Sequence, residues 1–224
     1  LNKTHNFKIL TVERSKTYDL SYVEALRGRE NMEKDWENLL MAEKTGSPAF
    51  RLYRWAEPTL SVGYSQEEPQ LPIPVVKRPT GGGALLHGWD ISFSYAGLRE
   101  SWGGSFTKIY KNFMNLILQA LREINPGFEM SRYRGAYEDF FCYFYPTLGE
   151  ITFGGRKVLA CAMRMLNRAF LVHGSLFVDF EYREFEKITG IDARLLRERV
   201  ITFRELNVPE GYLLHTMDRV KNLL

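Results

Sequence analysis

Hydrophobic residues along this chain switch between two spacings, and the switches divide it into elements. Over residues 31–44, Met32, Trp36, Leu39 and Leu40 define one helical face, and Gly46-Ser47-Pro48 then stops the helix. Residues 50–55 and 59–64 read as two strands separated by Glu57-Pro58. Pro69, Pro72 and Pro74 impose a stiff, extended connection. Val75 and Val76 begin a strand that ends in Gly81-Gly82-Gly83. Ile91, Phe93 and Tyr95 alternate with Ser92 and Ser94, the period of a strand. Ser105 is placed to cap a long helix that ends near Ile124. Its apolar face is Phe106, Ile109, Tyr110, Phe113, Ile117, Leu121 and Ile124, and Asn125-Pro126-Gly127 ends it. Residues 151–153 and 158–165 form a hairpin about Gly154-Gly155. Residues 169–178 make a further strand, interrupted at His173-Gly174-Ser175, and from Phe185 the tail is helical in two or three short pieces. Residues 18–28 show no decided pattern. Strands gathered in hairpins, with helices between the groups, predict an α+β fold rather than a doubly wound α/β one.

Composition narrows the class. The 224 residues suit one large domain or at most two small ones, and 45% hydrophobic residues supply an ample core. Repeats, low-complexity runs and linkers are absent, so a single domain over 1–224 is expected, with a monomer as the default. No apolar stretch is long enough to span a bilayer, and residues 1–8 lack the apolar core of a signal peptide. Two cysteines do not make a disulfide framework, so a cytoplasmic, reducing setting is expected. The net charge of +3 suits an acidic protein partner. Basic residues are interleaved with acidic ones, which excludes a nucleic-acid patch.

Two regions offer chemistry. Cys142 opens Cys142-Tyr143-Phe144-Tyr145-Pro146-Thr147, and Lys157 follows in Gly154-Gly155-Arg156-Lys157-Val158. A thiolate beside a cation is a strong nucleophile at neutral pH. Upstream, Thr80-Gly81-Gly82-Gly83-Ala84 lies between two strands, with Arg78 and His87 flanking it. It lacks the Gly-Lys-Ser/Thr of a phosphate loop and the Rossmann spacing. Glycine backbone beside a cation suits a carboxylate, a phosphate or a thioester carbonyl. Plainer readings stand beside these. The glycines also fit a flexible turn, Lys157 an exposed surface lysine, and Cys142, among Phe140, Phe141, Tyr143 and Phe144, a core cysteine. Cys161 is taken as core. His173 fits a base or, more commonly, a structural histidine. His5, His87, His173 and His215 are too scattered for a zinc site, and no metal is expected.

Together these segments resemble the biotin/lipoate protein ligase and octanoyltransferase family. Asn31-Met32 with Asp35 and Leu39-Leu40 looks like its opening helix. The run 53–66, Tyr53 to Gln66, is similar to its Trp…Pro-Thr…Gly…Gln strand pair. Lys77-Arg78-Pro79-Thr80-Gly81-Gly82-Gly83-Ala84 with His87 looks like its Arg-Arg-Pro-Thr-Gly-Gly loop. Gly155-Arg156-Lys157-Val158 and His173-Gly174-Ser175-Leu176 match its lysine and His-Gly-Ser/Thr strands. The segment from Cys142 to Thr147, with Glu150, resembles the cysteine loop of one octanoyltransferase branch. The other branch places its cysteine after the His-Gly strand, and here none follows Cys161. The chain departs from the family at Ala160-Cys161-Ala162-Met163, where Gly-Ser-Ala-Gln is usual, and in the short connection from Gln66 to Lys77.

The resemblance implies mixed, largely antiparallel sheets flanked by helices, without a C-terminal accessory domain. It implies an octanoyl-[acyl carrier protein]:protein N-octanoyltransferase of lipoate biosynthesis, acting through an acyl-cysteine. Cys142 is the expected nucleophile, and Lys157 is expected to contact the thioester carbonyl and favour the thiolate. Arg78, Thr80, Gly81, Gly82, Gly83, Ala84 and His87 are expected to bind substrate, and His173 to be structural or a base. The implied partners are octanoyl acyl carrier protein and a lipoyl-domain acceptor, such as glycine cleavage H protein or a 2-oxoacid dehydrogenase E2. No cofactor is implied. Three alternatives remain: a lipoate-protein ligase, which would need ATP and Mg; an amidotransferase between lipoyl-domain proteins; and a non-catalytic binding member.

Overall fold

The computed structural model describes residues 23–132, 139–144 and 147–224. The elements in chain order are β1 (Glu24–Leu26), α1 (Gly28–Thr45), β2 (Ala49–Trp55), β3 (Thr59–Val62), β4 (Val75–Lys77), β5 (Leu85–His87), β6 (Ile91–Leu98), α2 (Phe106–Ile124), β7 (Phe128–Met130), β8 (Ile151–Phe153), β9 (Arg156–Met165), β10 (Ala169–Leu176), α3 (Tyr182–Thr189), α4 (Ala193–Arg199) and α5 (Glu210–Lys221). A seven-stranded sheet runs in the order β1-β2-β6-β10-β9-β8-β7, and a three-stranded sheet in the order β4-β3-β5. In each sheet one pair is parallel, β1 with β2 and β3 with β4, and the other pairings are antiparallel. The α+β expectation therefore holds. The strands on either side of Glu57-Pro58 do not pair with each other; they pass into different sheets.

The long helices form where the pattern places them. Gly46 ends α1 in the left-handed region, φ 80°, and donates its N–H to Ala42 O. Ser105 accepts from the Lys108 N–H at the start of α2. Ile109, Phe113, Ile117 and Leu121 of α2 are fully buried against one face of the large sheet. Two residues assigned to apolar faces are exposed instead: Leu40 on α1 (44%) and Phe106 on α2 (49%). Phe106 is the first residue of α2, where the helix has yet to reach its partners, and Leu40 lies about 100° around α1 from the fully buried Leu39. The strand read as interrupted at His173-Gly174-Ser175 is continuous, because all three pair with both β6 and β9.

Register explains the site. Directly opposed residues in neighbouring strands share a face. One row across the large sheet is Tyr53, Ser92, Ser175 and Ala160; the next is Arg51, Ser94, His173 and Ala162. Ile91, Phe93 and Tyr95 face the α2 side, whereas the serine rows face α1 and the small sheet. That second layer buries Ser92 and Ser94 as deeply as their apolar neighbours. A separate aromatic cluster joins Phe141 and Tyr143 to Phe177, Phe180 and Phe185. Among the described residues no helix is long and apolar enough to cross a membrane.

Candidate active site

A cleft of about 1610 Å³ is lined by the glycine loop, the cysteine segment, β9, β10 and part of α2. Arg78, Gly81, Gly82, Gly83, His87, Cys142 and His173 line it. Thr80, Ala84 and Lys157 are fully buried and stand behind its wall. Ala160, Cys161, Ala162 and Met163 also line it, so the departure from the family pattern falls on the cleft surface. Cys161 is thus partly covered and borders the cleft, rather than lying wholly in the core. Tyr145 and Pro146 of the cysteine motif, His5 and residues 1–22 lie outside the described residues.

The glycine loop is held by its carbonyls. Tyr64 N–H donates to Thr80 O at 3.0 Å. The buried Arg78 guanidinium donates to Gly81 O at 2.8 Å, Gly83 O at 2.7 Å and Ser61 O at 3.1 Å. No acceptor among the described residues takes the N–H of Gly81, Gly82 or Gly83. Carbonyls turned to Arg78 leave amides for a ligand, an arrangement that suits a developing oxyanion. Arg78 is therefore an organiser of the loop as well as a lining residue.

The cysteine segment is fastened to this loop. Ala84 N–H donates to Phe140 O at 2.7 Å, and Cys142 N–H donates to Ala84 O at 3.0 Å. A Cβ on Gly83 would lie 2.9 Å from Cys142 N, so the close approach requires glycine. Phe141 and Tyr143 point into the aromatic cluster, and the Tyr143 hydroxyl both donates to Leu86 O and accepts from Leu86 N–H. Cys142, between them, is only partly covered and opens on the cleft. The aromatic neighbours that suggested a core cysteine are instead its anchors. Gly83→Ala is expected to leave the far-UV circular dichroism unchanged. It should slow modification of Cys142 by substrate about 10²-fold in single turnover, the cost of a roughly ångström-scale misplacement.

Two buried carboxylates organise the serine rows. Asp35 accepts from Arg51 at 2.7 Å, Ser94 at 2.6 Å, Tyr53 at 3.0 Å and His173 Nδ1 at 3.1 Å. His173 Nε2 lies 2.6 Å from Thr80 Oγ1. Burial pushes the His173 imidazolium down, against the pull of Asp35. Neutral His173 then donates through Nδ1 and accepts from Thr80 through Nε2. Both ring nitrogens are committed to holding the loop. Asp90 accepts from His87 Nδ1 at 2.8 Å, Ser92 at 2.9 Å and Ser175 at 2.5 Å, and His87 Nε2 lies 2.8 Å from Ser61 Oγ. Burial would raise the Asp90 carboxyl, but His87 and these donors outweigh it and hold it low. Trp55 stacks on His87 at 3.9 Å. Asp90, Ser61, Ser92 and Ser175 had no distinguishing spacing in the sequence; a serine facing away from the core normally marks a solvated strand face.

Lys157 is not a surface lysine. It is fully buried on β9, its Nζ 2.7 Å from Glu150 Oε2, and it donates to the carbonyl of Cys142. Glu150 also accepts from Thr147 N–H at 2.7 Å. The ammonium is thus engaged behind the wall of the cleft, with Glu150 and the Cys142 carbonyl as its partners. Lys157 is one of several influences on the Cys142 thiol. Burial pushes the Cys142 thiol up, Lys157 pulls it down, Glu150 pushes it up and Arg78 pulls it down, and the balance lies above the ordinary thiol value. Among the described residues no three His, Cys, Asp or Glu side chains gather to hold a metal ion.

This architecture is that of a lipoyl-type protein ligase catalytic domain. The lipoyl protein ligase A/B catalytic domain model matches residues 29–210, and the chain belongs to that family. It is similar to octanoyltransferase LipM of Carboxydothermus hydrogenoformans, 28% identical over 77% of this chain and 69% of the relative. LipM of Symbiobacterium thermophilum is 30% identical over 82% of this chain and 67% of the relative. Among solved structures, a bipartite lipoate protein ligase from Thermoplasma acidophilum, described with its E2 lipoyl domain, has the same fold. Its TM-score is 0.65 at 18% identity, covering 88% of this chain and 80% of that one.

Proposed function

We propose that this chain is an octanoyltransferase that passes an octanoyl group through Cys142 to a lysine of a lipoyl domain. The observation that carries the reading is the placement of Cys142. It is partly open on the cleft, tied by its own N–H to Ala84 beside the Gly81–Gly83 amides, from which no described residue accepts, and backed by the Lys157–Glu150 pair. The similarity to LipM octanoyltransferases supports the acyl group and the reaction class.

In the first step Cys142 Sγ attacks the thioester carbonyl of octanoyl carrier protein. The C–S bond to the carrier breaks, and the departing sulfur takes up the proton lost by Cys142. The glycine-loop amides bear the oxyanion, each such donor being worth about 10²–10³ in rate. Lys157 steadies the backbone of the nucleophile and lowers the cost of negative charge on sulfur. In the second step the acceptor amine attacks the acyl-cysteine, loses a proton, and Cys142 leaves and is reprotonated. A thioester is exchanged for an amide, which is downhill without nucleotide. Arg78, Thr80, His87 and His173 act by holding the loop.

Intact-protein mass spectrometry after mixing with octanoyl carrier protein, without ATP, tests the reading. One octanoyl adduct, mapped to Cys142 and lost on adding a lipoyl domain, is expected. A chain that stays unmodified until ATP and free octanoate are supplied would instead be a ligase.

A further inference from the structure

We propose that Glu150 is a positioning residue that sets the reactivity of Cys142: its carboxylate holds Lys157 on the Cys142 backbone and keeps the sulfur a thiol in the resting protein. This rests on the reading of Cys142 as the acyl-accepting nucleophile. The geometry is closed on every side. The Lys157 side chain is 0% exposed and that of Glu150 4%, and they meet at 2.7 Å. A second donor, Thr147 N–H, fixes the same Glu150 oxygen, so the carboxylate cannot swing away without opening the turn that follows the cysteine segment. The ammonium's other acceptor is the carbonyl of Cys142 itself.

A buried ammonium needs a counter-charge. Among the described residues two groups near Lys157 can supply one, the Glu150 carboxylate and the Cys142 sulfur, and while Glu150 does so the sulfur has no reason to ionise. Among the described residues, the charged and titratable groups that act on Cys142 are Lys157 from β9, Glu150 from the preceding loop, Arg78 beside the glycine loop and the neighbouring Tyr143. Arg78 spends its guanidinium on Gly81 and Gly83 carbonyls, and Tyr143 is held neutral by burial. Lys157 is thus the cation whose balance Glu150 controls. The consequence is a nucleophile that is slow toward adventitious electrophiles and oxidants, with its acylation reserved for a donor bound against the loop amides.

The test is the pH profile of Cys142 alkylation by iodoacetamide, located by peptide mass spectrometry with Cys161 read in the same digest. Glu150→Gln keeps the shape and removes the charge. Its alkylation midpoint is expected at least one pH unit below wild type, about tenfold faster at neutral pH, with Cys161 unreactive throughout. Lys157→Met should move the midpoint upward. An unmoved or raised midpoint in Glu150→Gln would overturn the proposal. If that variant does not fold, an unmoved midpoint in Lys157→Met would overturn it equally. The transferase reading fails separately, since wild type would then form no octanoyl adduct whatever the alkylation midpoints do.

Discussion

Cys142→Ser is expected to abolish octanoyl transfer, lowering the single-turnover rate by more than about 10³-fold, while the chain stays folded. Removing a covalent nucleophile costs losses of this order or greater in hydrolases that rely on one. A serine hydroxyl in the same place ionises far less readily than a thiol. The two histidines of the loop network already use both ring nitrogens, His173 on Asp35 and Thr80 and His87 on Asp90 and Ser61. The effect on stability should be small, because Cys142 is only partly covered and its structural bonds are made by its backbone. Cys161→Ser is the matching control. Cys161 lies opposite Gly174 on the α2 side of the sheet, and burial pushes its thiol far up, so its loss should leave transfer within a few-fold of wild type. Intact-mass detection of the acyl adduct and a discharge assay with a lipoyl domain read both variants. Full transfer by Cys142→Ser would remove the covalent route and return the family's ATP-dependent chemistry to first place.

What could be read from the sequence and what could not divide along a physical line. Elements with a sustained period were legible: α2 through Ile109, Phe113, Ile117 and Leu121, β6 through Ile91, Phe93 and Tyr95, and the hairpin about Gly154-Gly155. The three-residue strands β1, β5 and β7 are too short to carry a period and were missed. The glycine loop and the cysteine segment stood out because their residue types are unusual at that spacing. The network beneath them did not. Ser92 and Ser94 alternate with apolar residues as a solvated strand face would, and only the small sheet lying over them turns them into partners for Asp90 and Asp35. Lys157 failed for the same reason. A lone lysine near a turn is normally exposed, and nothing local reveals that Glu150, on the adjoining strand approach, accompanies it into the interior.

Lys157→Met is the second large effect, and its two components separate. In the wild-type fold Lys157 balances Glu150 and satisfies the carbonyl of Cys142. Truncating the ammonium leaves a buried carboxylate with no cation, a change that typically costs about 3–5 kcal/mol. Urea unfolding should register that loss as a lower midpoint with little change in slope. The acylation rate should fall as well, by about 10²–10³-fold, the scale on which one stabilising charge or donor acts at a reacting centre. The double variant Lys157→Met with Glu150→Gln tells the two apart. Removing both charges eliminates the unpaired carboxylate, so stability should return to within about 1–2 kcal/mol of wild type. Transfer should not return, because the thiol then lacks the ammonium, and the other cation acting on it among the described residues, Arg78, is already committed to the glycine loop. The sign follows from the groups around Cys142: burial raises the thiol, Lys157 lowers it, and without Lys157 the thiolate forms only at higher pH. Acylation by Lys157→Met should therefore climb with pH beyond the range in which wild type levels off. If the double variant regained stability and full rate together, Lys157 would be a structural counter-ion and nothing more, and the electrostatics of Cys142 would have to be assigned to Arg78 and the loop amides alone.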